Sequence, residues 1–316
     1  MSYLVTGATG LVGSRVVRDL VNIGEPVVGY EQSPNMSILK MLMSEDEIAE
    51  VKIVQGDILE LDRLMRIARE NNIDTIIHLA ATLGAETKDN LRQAVRVNVE
   101  GTINVFETAR LLGMNKVVWA SSSTVFTAGK YEKEYIPNDA PHYPWDLYGS
   151  CKAFGENVAD YYFQEFGMDI TALRYGTIFG VGQQRGNSAT IVRELILNPA
   201  LGKPGRLTGR DDVLAWTYVD DAARVALLAC KYRRGNIGAF NIMGQLHSVK
   251  ELAAYVRELI PDADIELLPG HYAGPRWKLE SAVTEKEVGY HPQWLVKEGI
   301  RETINIVRRQ HGLPPV

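Results

Sequence analysis

The stretch Ser2-Tyr3-Leu4-Val5-Thr6-Gly7-Ala8-Thr9-Gly10-Leu11-Val12-Gly13 decides the reading of this chain. Tyr3 to Val5 reads as a short, fully buried strand. Ser14 to Ile23 follows as a helix, with Val16, Val17, Leu20 and Val21 on one apolar stripe. Between them glycines fall at 7, 10 and 13. Glycines in a strand-to-helix turn let the backbone approach a diphosphate and let the helix pack tightly on the strand. The new helix also aims its free N–H groups and positive dipole end at the anion. Glycine is common here, 28 of 316 residues, so it is the flanking strand and helix that distinguish this turn from an ordinary one.

The rest of the composition bounds the class. A chain of 316 residues, 46% hydrophobic and 23% charged with a net charge of −5, has the make-up of a soluble globular protein with a large core. No basic block points to nucleic acid, and no polybasic amphipathic or 20-residue apolar run points to a membrane. Two cysteines, Cys151 and Cys230, form no disulfide framework, and the first strand begins at about residue 2. A cytoplasmic location is the expectation.

Outward from the turn, strands and helices alternate. Strands are expected at Pro26–Glu31, Val51–Gln55, Thr75–Ala81, Lys116–Ala120 and Ile170–Tyr175. Helices are expected at Met36–Ala49, Leu61–Asn71, Leu91–Leu112 and Asp146–Phe166. This alternation predicts an α/β fold, a Rossmann-type doubly wound parallel sheet. After residue 176 the elements shorten. Gly176–Gly186 reads as a glycine-rich loop, and the remainder as a smaller α/β substrate lobe. The expected division is 1–176 for the dinucleotide unit and 177–316 for the substrate lobe, with interleaving of segments allowed. Glu31 ends the second strand 18 residues after Gly13, where a carboxylate accepts hydrogen bonds from a ribose 2′-hydroxyl and repels a 2′-phosphate. No arginine follows it, so the expected cofactor is NAD. Asp57, past the third strand, is placed to accept from an adenine amino group. His78 lies before its strand tip and reads as a packed histidine, and the six histidines show no metal spacing.

Tyr148 and Lys152 stand at i and i+4 on one helix face. A neighbouring cation favours the ionised phenol, which then exchanges a proton with an alcohol or carbonyl. Ser122 stands at the tip of the fifth strand, facing the ligand crevice of a parallel sheet. Ser121 and Ser123 compete with it, because neighbours on a strand point to opposite sides.

Taken together, Thr6 to Gly13, Gly56-Asp57-Ile58, His78-Leu79-Ala80-Ala81, Asn98, Ser122, Tyr148 with Lys152, Tyr218-Val219-Asp220-Asp221 and Phe240-Asn241-Ile242 resemble the extended short-chain dehydrogenase/reductase family, the NAD-dependent epimerase/dehydratases. The resemblance implies Tyr148 as general acid/base, Lys152 on the nicotinamide ribose, Ser122 orienting substrate and Asn98 supporting the lysine. It implies NAD held by Gly7, Thr9, Gly10, Leu11, Val12, Gly13, Glu31, Asp57, Ile58, Leu79, Ala80, Ala81, Asn98, Tyr148, Lys152, Tyr175 and Ile178, and a homodimer through the two long helices. Element order suggests a substrate pocket drawing on Thr82, Leu83, Glu86, Ser122, Thr124, Tyr148, Tyr175, Asn187, Trp216 and Arg276. No metal is expected.

Three departures narrow the function. Nucleotide-sugar epimerases usually carry an asparagine where this chain has Thr177, and a diphosphate-gripping arginine where it has Leu214. Sugar 4,6-dehydratases place Asp-Glu where it has Ser123-Thr124. The expectation is therefore an oxidoreductase acting on a small hydroxylated or carbonyl compound without a nucleotide handle. The alternatives are a sugar or nucleotide-sugar epimerase and a non-catalytic NAD-sensing protein.

Overall fold

The computed structural model describes residues 1–84, 90–127, 129–186, 188–272 and 274–316. Its centre is a seven-stranded sheet in which every pairing is parallel. In spatial order the strands are Ala239–Ile242, Ile170–Tyr175, Lys116–Ser122, Thr75–His78, Tyr3–Thr6, Val27–Glu31 and Lys52–Gln55. Helices cover both faces, so strand residues such as Leu4, Val5, Ile76 and Ile77 are fully buried. The strand order reverses between Tyr3–Thr6 and Thr75–His78, and the crevice beyond their C-terminal ends is where ligands enter such sheets.

The helix Leu11–Asn22 buries Val16, Val17 and Leu20 against Ala222, Ala223, Val225 and Ala226 of the helix Val219–Lys231. The chain therefore crosses residue 176 and later returns, because that helix and the strand Ala239–Ile242 both build the main sheet layer. A second core gathers Phe179, Ile191, Leu195, Leu214, Trp216, Leu252 and Ile300 around a three-stranded sheet. Among the described residues no helix is long and apolar enough to cross a membrane.

Four local expectations change. Met36–Ala49 is two helices, Ser37–Leu42 and Glu45–Ala49. Met43 is extended between them, and Ser44 and Glu47 form a capping box that starts the second. The strand from Thr75 stops at His78, where Leu79 and Ala80 pass so near Gly7 that a Cβ there would meet the Ala80 nitrogen at 2.9 Å. Leu91–Leu112 is interrupted by a π-helical turn, Arg96–Gly101, around the buried Asn98. The glycine-rich stretch contains a strand, Thr177–Phe179, that pairs in parallel with Val213–Tyr218.

Candidate active site

The first helix begins at Gly10, and no side chain caps it. Its first-turn amides are thus left for an anion. Gly7 has φ +72°, a left-handed conformation, and its carbonyl accepts from Gly10 N at 3.0 Å. A Cβ at Gly13 would lie 2.1 Å from that carbonyl oxygen, so only glycine lets the helix start this close to the turn.

From this turn a cavity of about 580 Å³ runs along the strand tips. Its wall includes Thr9, Gly10, Leu11, Val12 and Glu31 at one end and Ser122, Thr124, Tyr148 and Lys152 at the other. Asp57, Ile58, Leu79, Ala80, Ala81, Thr82, Leu83, Tyr175 and Ile178 also line it. One Glu31 oxygen accepts from the Thr9 amide at 3.2 Å and the Thr9 hydroxyl at 3.1 Å, tying the second strand to the glycine turn. Asp57 accepts from Leu59 N and Gln32 Nε2. An uncapped helix end, a carboxylate at the end of the second strand and a second acid past the third strand fit a dinucleotide along this wall.

The helix Leu147–Phe166 carries Tyr148 and Lys152. Asp146 caps it by accepting from Gly149 N at 2.7 Å. Gly149 brings it against the fifth strand's end, for a Cβ there would meet the Thr124 carbonyl oxygen at 2.0 Å. Lys152 is buried; its ammonium donates to the Ala120 carbonyl at 2.7 Å and sits 4.8 Å from the Trp119 ring centre and 5.4 Å from that of Tyr148. Burial pulls this ammonium down to about 7. Burial also pushes the Tyr148 phenol up, with Asp146 adding to the effect. The expected lowering of the phenol is therefore not found: loss of water dominates, and both shifts favour the neutral pair.

Of the three serines, Ser121 and Ser122 line the cleft and Ser123 does not, and their contacts differ. Ser121 donates to Glu156 Oε1 at 2.5 Å, in a buried cluster with Arg174 and His142. Burial alone would raise the Glu156 carboxyl, but Arg174 and His142 hold it at about 2. Ser123 is buried, and its carbonyl accepts from Trp277 Nε1 at 2.8 Å. Ser122 lines the cleft, where its oxygen accepts from the Thr124 amide at 3.1 Å and hydroxyl at 2.9 Å. It thus also caps the turn that ends its strand.

Other expected residues lie elsewhere. Trp216 is buried in the second core with Nε1 donating to the His247 carbonyl, and does not line the cleft; its strand faces Phe179 there. Arg276 is also absent from the cleft wall, its guanidinium held by Asp212 at 2.8 Å. Asn98 sits behind the wall, bonding the Thr82 amide at 3.0 Å and carbonyl at 2.8 Å. Glu86 and Asn187 lie outside the described residues. Residues that line the cleft without having been singled out include Asp146, Gln183, Arg185 and Tyr272. The glycines around Gln183, and an acid just ahead of a helix at Asp146, were the available signals. His78 is buried and bonds Thr6 Oγ1 at 2.6 Å, as a packed histidine would.

Residues 3–242 match the NAD-dependent epimerase/dehydratase family. A UDP-glucuronate 4-epimerase of Thermodesulfobacterium geofontis is 28% identical over 96% of this chain and 95% of its own length. A solved UDP-glucose 4-epimerase of Thermotoga maritima superposes with a TM-score of 0.85 at 23% identity, covering 98% of this chain and all of the other. A GalE-like L-threonine dehydrogenase of Cupriavidus necator gives 0.82 at 22% identity, covering 96% of this chain and 99% of the other. A solved UDP-glucose 4-epimerase of Thermus thermophilus holds NAD. With its uncapped glycine turn, Glu31 and the Tyr148/Lys152 helix on one cleft, this chain belongs to the NAD-dependent epimerase/dehydratase family of extended short-chain enzymes, and its cofactor is NAD.

Proposed function

We propose that the protein is an NAD-dependent oxidoreductase for a small hydroxylated or carbonyl substrate, sugar-like or a simple alcohol, that carries no nucleotide. NAD, when bound, supplies the hydride acceptor or donor. Tyr148 exchanges the proton with the substrate oxygen, and Ser122 donates a hydrogen bond to that same oxygen. Lys152, buried beside the phenol with its Nζ 5.4 Å from the ring centre, stabilises the phenolate form whenever it is protonated.

The observation that carries the reading is Leu214. It stands where nucleotide-sugar epimerases usually hold a diphosphate with arginine, and it is fully buried in the second core. The nearby arginines do not replace it. Arg206 pairs with Glu266 on the surface, Arg210 with Asp211, and Arg276 with Asp212. Among the described residues the cations on the cleft wall are Lys152 and Arg185. Lys152 stands beside the phenol, so among the described residues a second diphosphate buried here has only Arg185 on the wall to offset its charge, which is costly.

Epimerisation of a nucleotide sugar is the second reading, favoured by the relatives named above. A panel of alcohols, aldoses and sugar acids offered with NAD separates the two. Net NADH that falls at least about a hundredfold in Tyr148→Phe supports the oxidoreductase. An isomerised nucleotide sugar with no net NADH supports the epimerase instead. Turnover indifferent to Tyr148→Phe would sink the mechanism in either case.

We also propose a homodimer. Leu147, Phe154 and Tyr161 recur every seven residues on one helix and remain exposed, beside exposed Leu91, Val95 and Leu111 of the neighbouring helical segment. An apolar stripe of this kind suits a second copy of the same helices.

A further inference from the structure

The glycine-rich stretch after residue 176 forms the cleft wall opposite the strand tips, through Gly182, Gln183, Gln184, Arg185 and Gly186. It is wedged in place. Gly182 has φ +93°, and a Cβ there would meet Ile38 Cδ1 at 2.7 Å; a Cβ at Gly180 would meet Val219 Cγ1 at 2.5 Å.

One side chain of the glycine-turn helix reaches this wall. Arg15 has no exposed side-chain surface. Its Nη2 donates to the Val181 carbonyl at 2.8 Å, while Nη1 donates to the Leu11 carbonyl and the Ser14 hydroxyl, both at 3.2 Å. Asp220 lies 3.7 Å from Nε and is shared with Arg18. Nε itself has no hydrogen-bond partner among the described residues. Burial lowers the guanidinium to about 10. An unbranched apolar side chain would fill this space without the desolvation cost, so packing alone does not account for an arginine.

We propose that Arg15 is a positioning residue that couples occupancy of the dinucleotide turn to the order of the wall at residues 180–186. A diphosphate at the uncapped helix end fixes the first turn, Leu11 to Ser14. That turn grips one edge of the guanidinium through Leu11 O and Ser14 Oγ. The guanidinium is a rigid plane, so its far edge holds the Val181 carbonyl, and ordering one side orders the other. Linkage makes the effect reciprocal: a ligand on this wall tightens NAD by the same factor.

Amide hydrogen exchange with NAD alone as the probe tests this. In the wild type, NAD slows exchange in residues 8–15 and also, by about fivefold or more, in residues 180–186. In Arg15→Met the first protection persists and the second falls below about twofold. Asp220→Asn, which leaves the Val181 bond in place, keeps both. If Arg15→Met does not fold, Arg15→Lys keeps a buried cation but lacks the second donor edge that spans to Val181, and is held to the same criteria. Unprotected 180–186 amides in the wild type, or full protection in the arginine variant, overturn the proposal.

Discussion

Replacing Glu31 with glutamine tests whether its charge sets the preference for NAD. Glu31 ends the strand Val27–Glu31 on the cleft wall, and one of its oxygens already accepts from the Thr9 amide and hydroxyl. Two donors leave a carboxylate spare acceptor capacity for a ribose hydroxyl. Glutamine keeps an acceptor for Thr9 and for the hydroxyl but removes the charge. A hydrogen bond to a charged group is worth about 1.5–3 kcal/mol against about 0.5–1.5 for a neutral one, so NAD should weaken about tenfold. A 2′-phosphate about 4 Å from the carboxylate meets a repulsion of about 1 kcal/mol per unit charge in water and about 4 at an effective dielectric of 20. Glu31 is only half-buried, which favours the lower end, and relief of that repulsion should tighten NADP about tenfold. The NADP-to-NAD preference should therefore move about a hundredfold, and less as salt is added. Calorimetric titration with each dinucleotide measures this without any substrate. Glu31→Ala should cost more affinity for both, because it also releases Thr9. A preference that changes less than about threefold in Glu31→Gln would refute the assignment of the charge.

Two further outcomes are expected. Burial, reinforced by Lys152, pulls His78 down to about 3. Between pH 6.5 and that value the unfolded chain binds a proton the folded one does not, so stability present above 6.5 falls as the pH drops, by about 1.4 kcal/mol per unit. Urea unfolding at pH 7 and pH 5 should show His78→Gln, though weaker at pH 7, losing about 2 kcal/mol less than the wild type; equal losses refute the account. Phe154→Glu with Tyr161→Glu should convert a particle of twice the chain mass into one of single mass by light scattering, and a wild type already of single mass rules the dimer out.

The sheet layer was legible because its signals are local. Buried parallel strands read as short apolar runs, and Gly10 and Gly13 of the turn meet atoms of Gly7 and Ala8, a few residues back. Tyr148 and Lys152 share a face by helix geometry alone. What failed depends on distant partners. The π-helical turn at Arg96–Gly101 surrounds Asn98, whose side chain bonds both backbone groups of Thr82, sixteen residues away. Trp216 and Arg276 lie on elements placed correctly near the cleft, but element order does not say which way a side chain points. Trp216 turns into the second core, and Asp212 holds Arg276.

The same limit explains the Tyr148 phenol. Sequence spacing reveals a cation four residues away, and a cation lowers a phenol. It does not reveal how much water the fold removes from both groups, and desolvation acts on each with opposite sign. In this cleft desolvation wins for both, raising Tyr148 and lowering Lys152 to about 7. Both shifts therefore favour the neutral pair, phenol beside amine. That burial goes with the Gly149 contact that seats the helix on Thr124 and with the Trp119 ring beside the lysine. The i, i+4 spacing puts the two groups together, and the depth at which their helix is buried sets the direction in which each shifts.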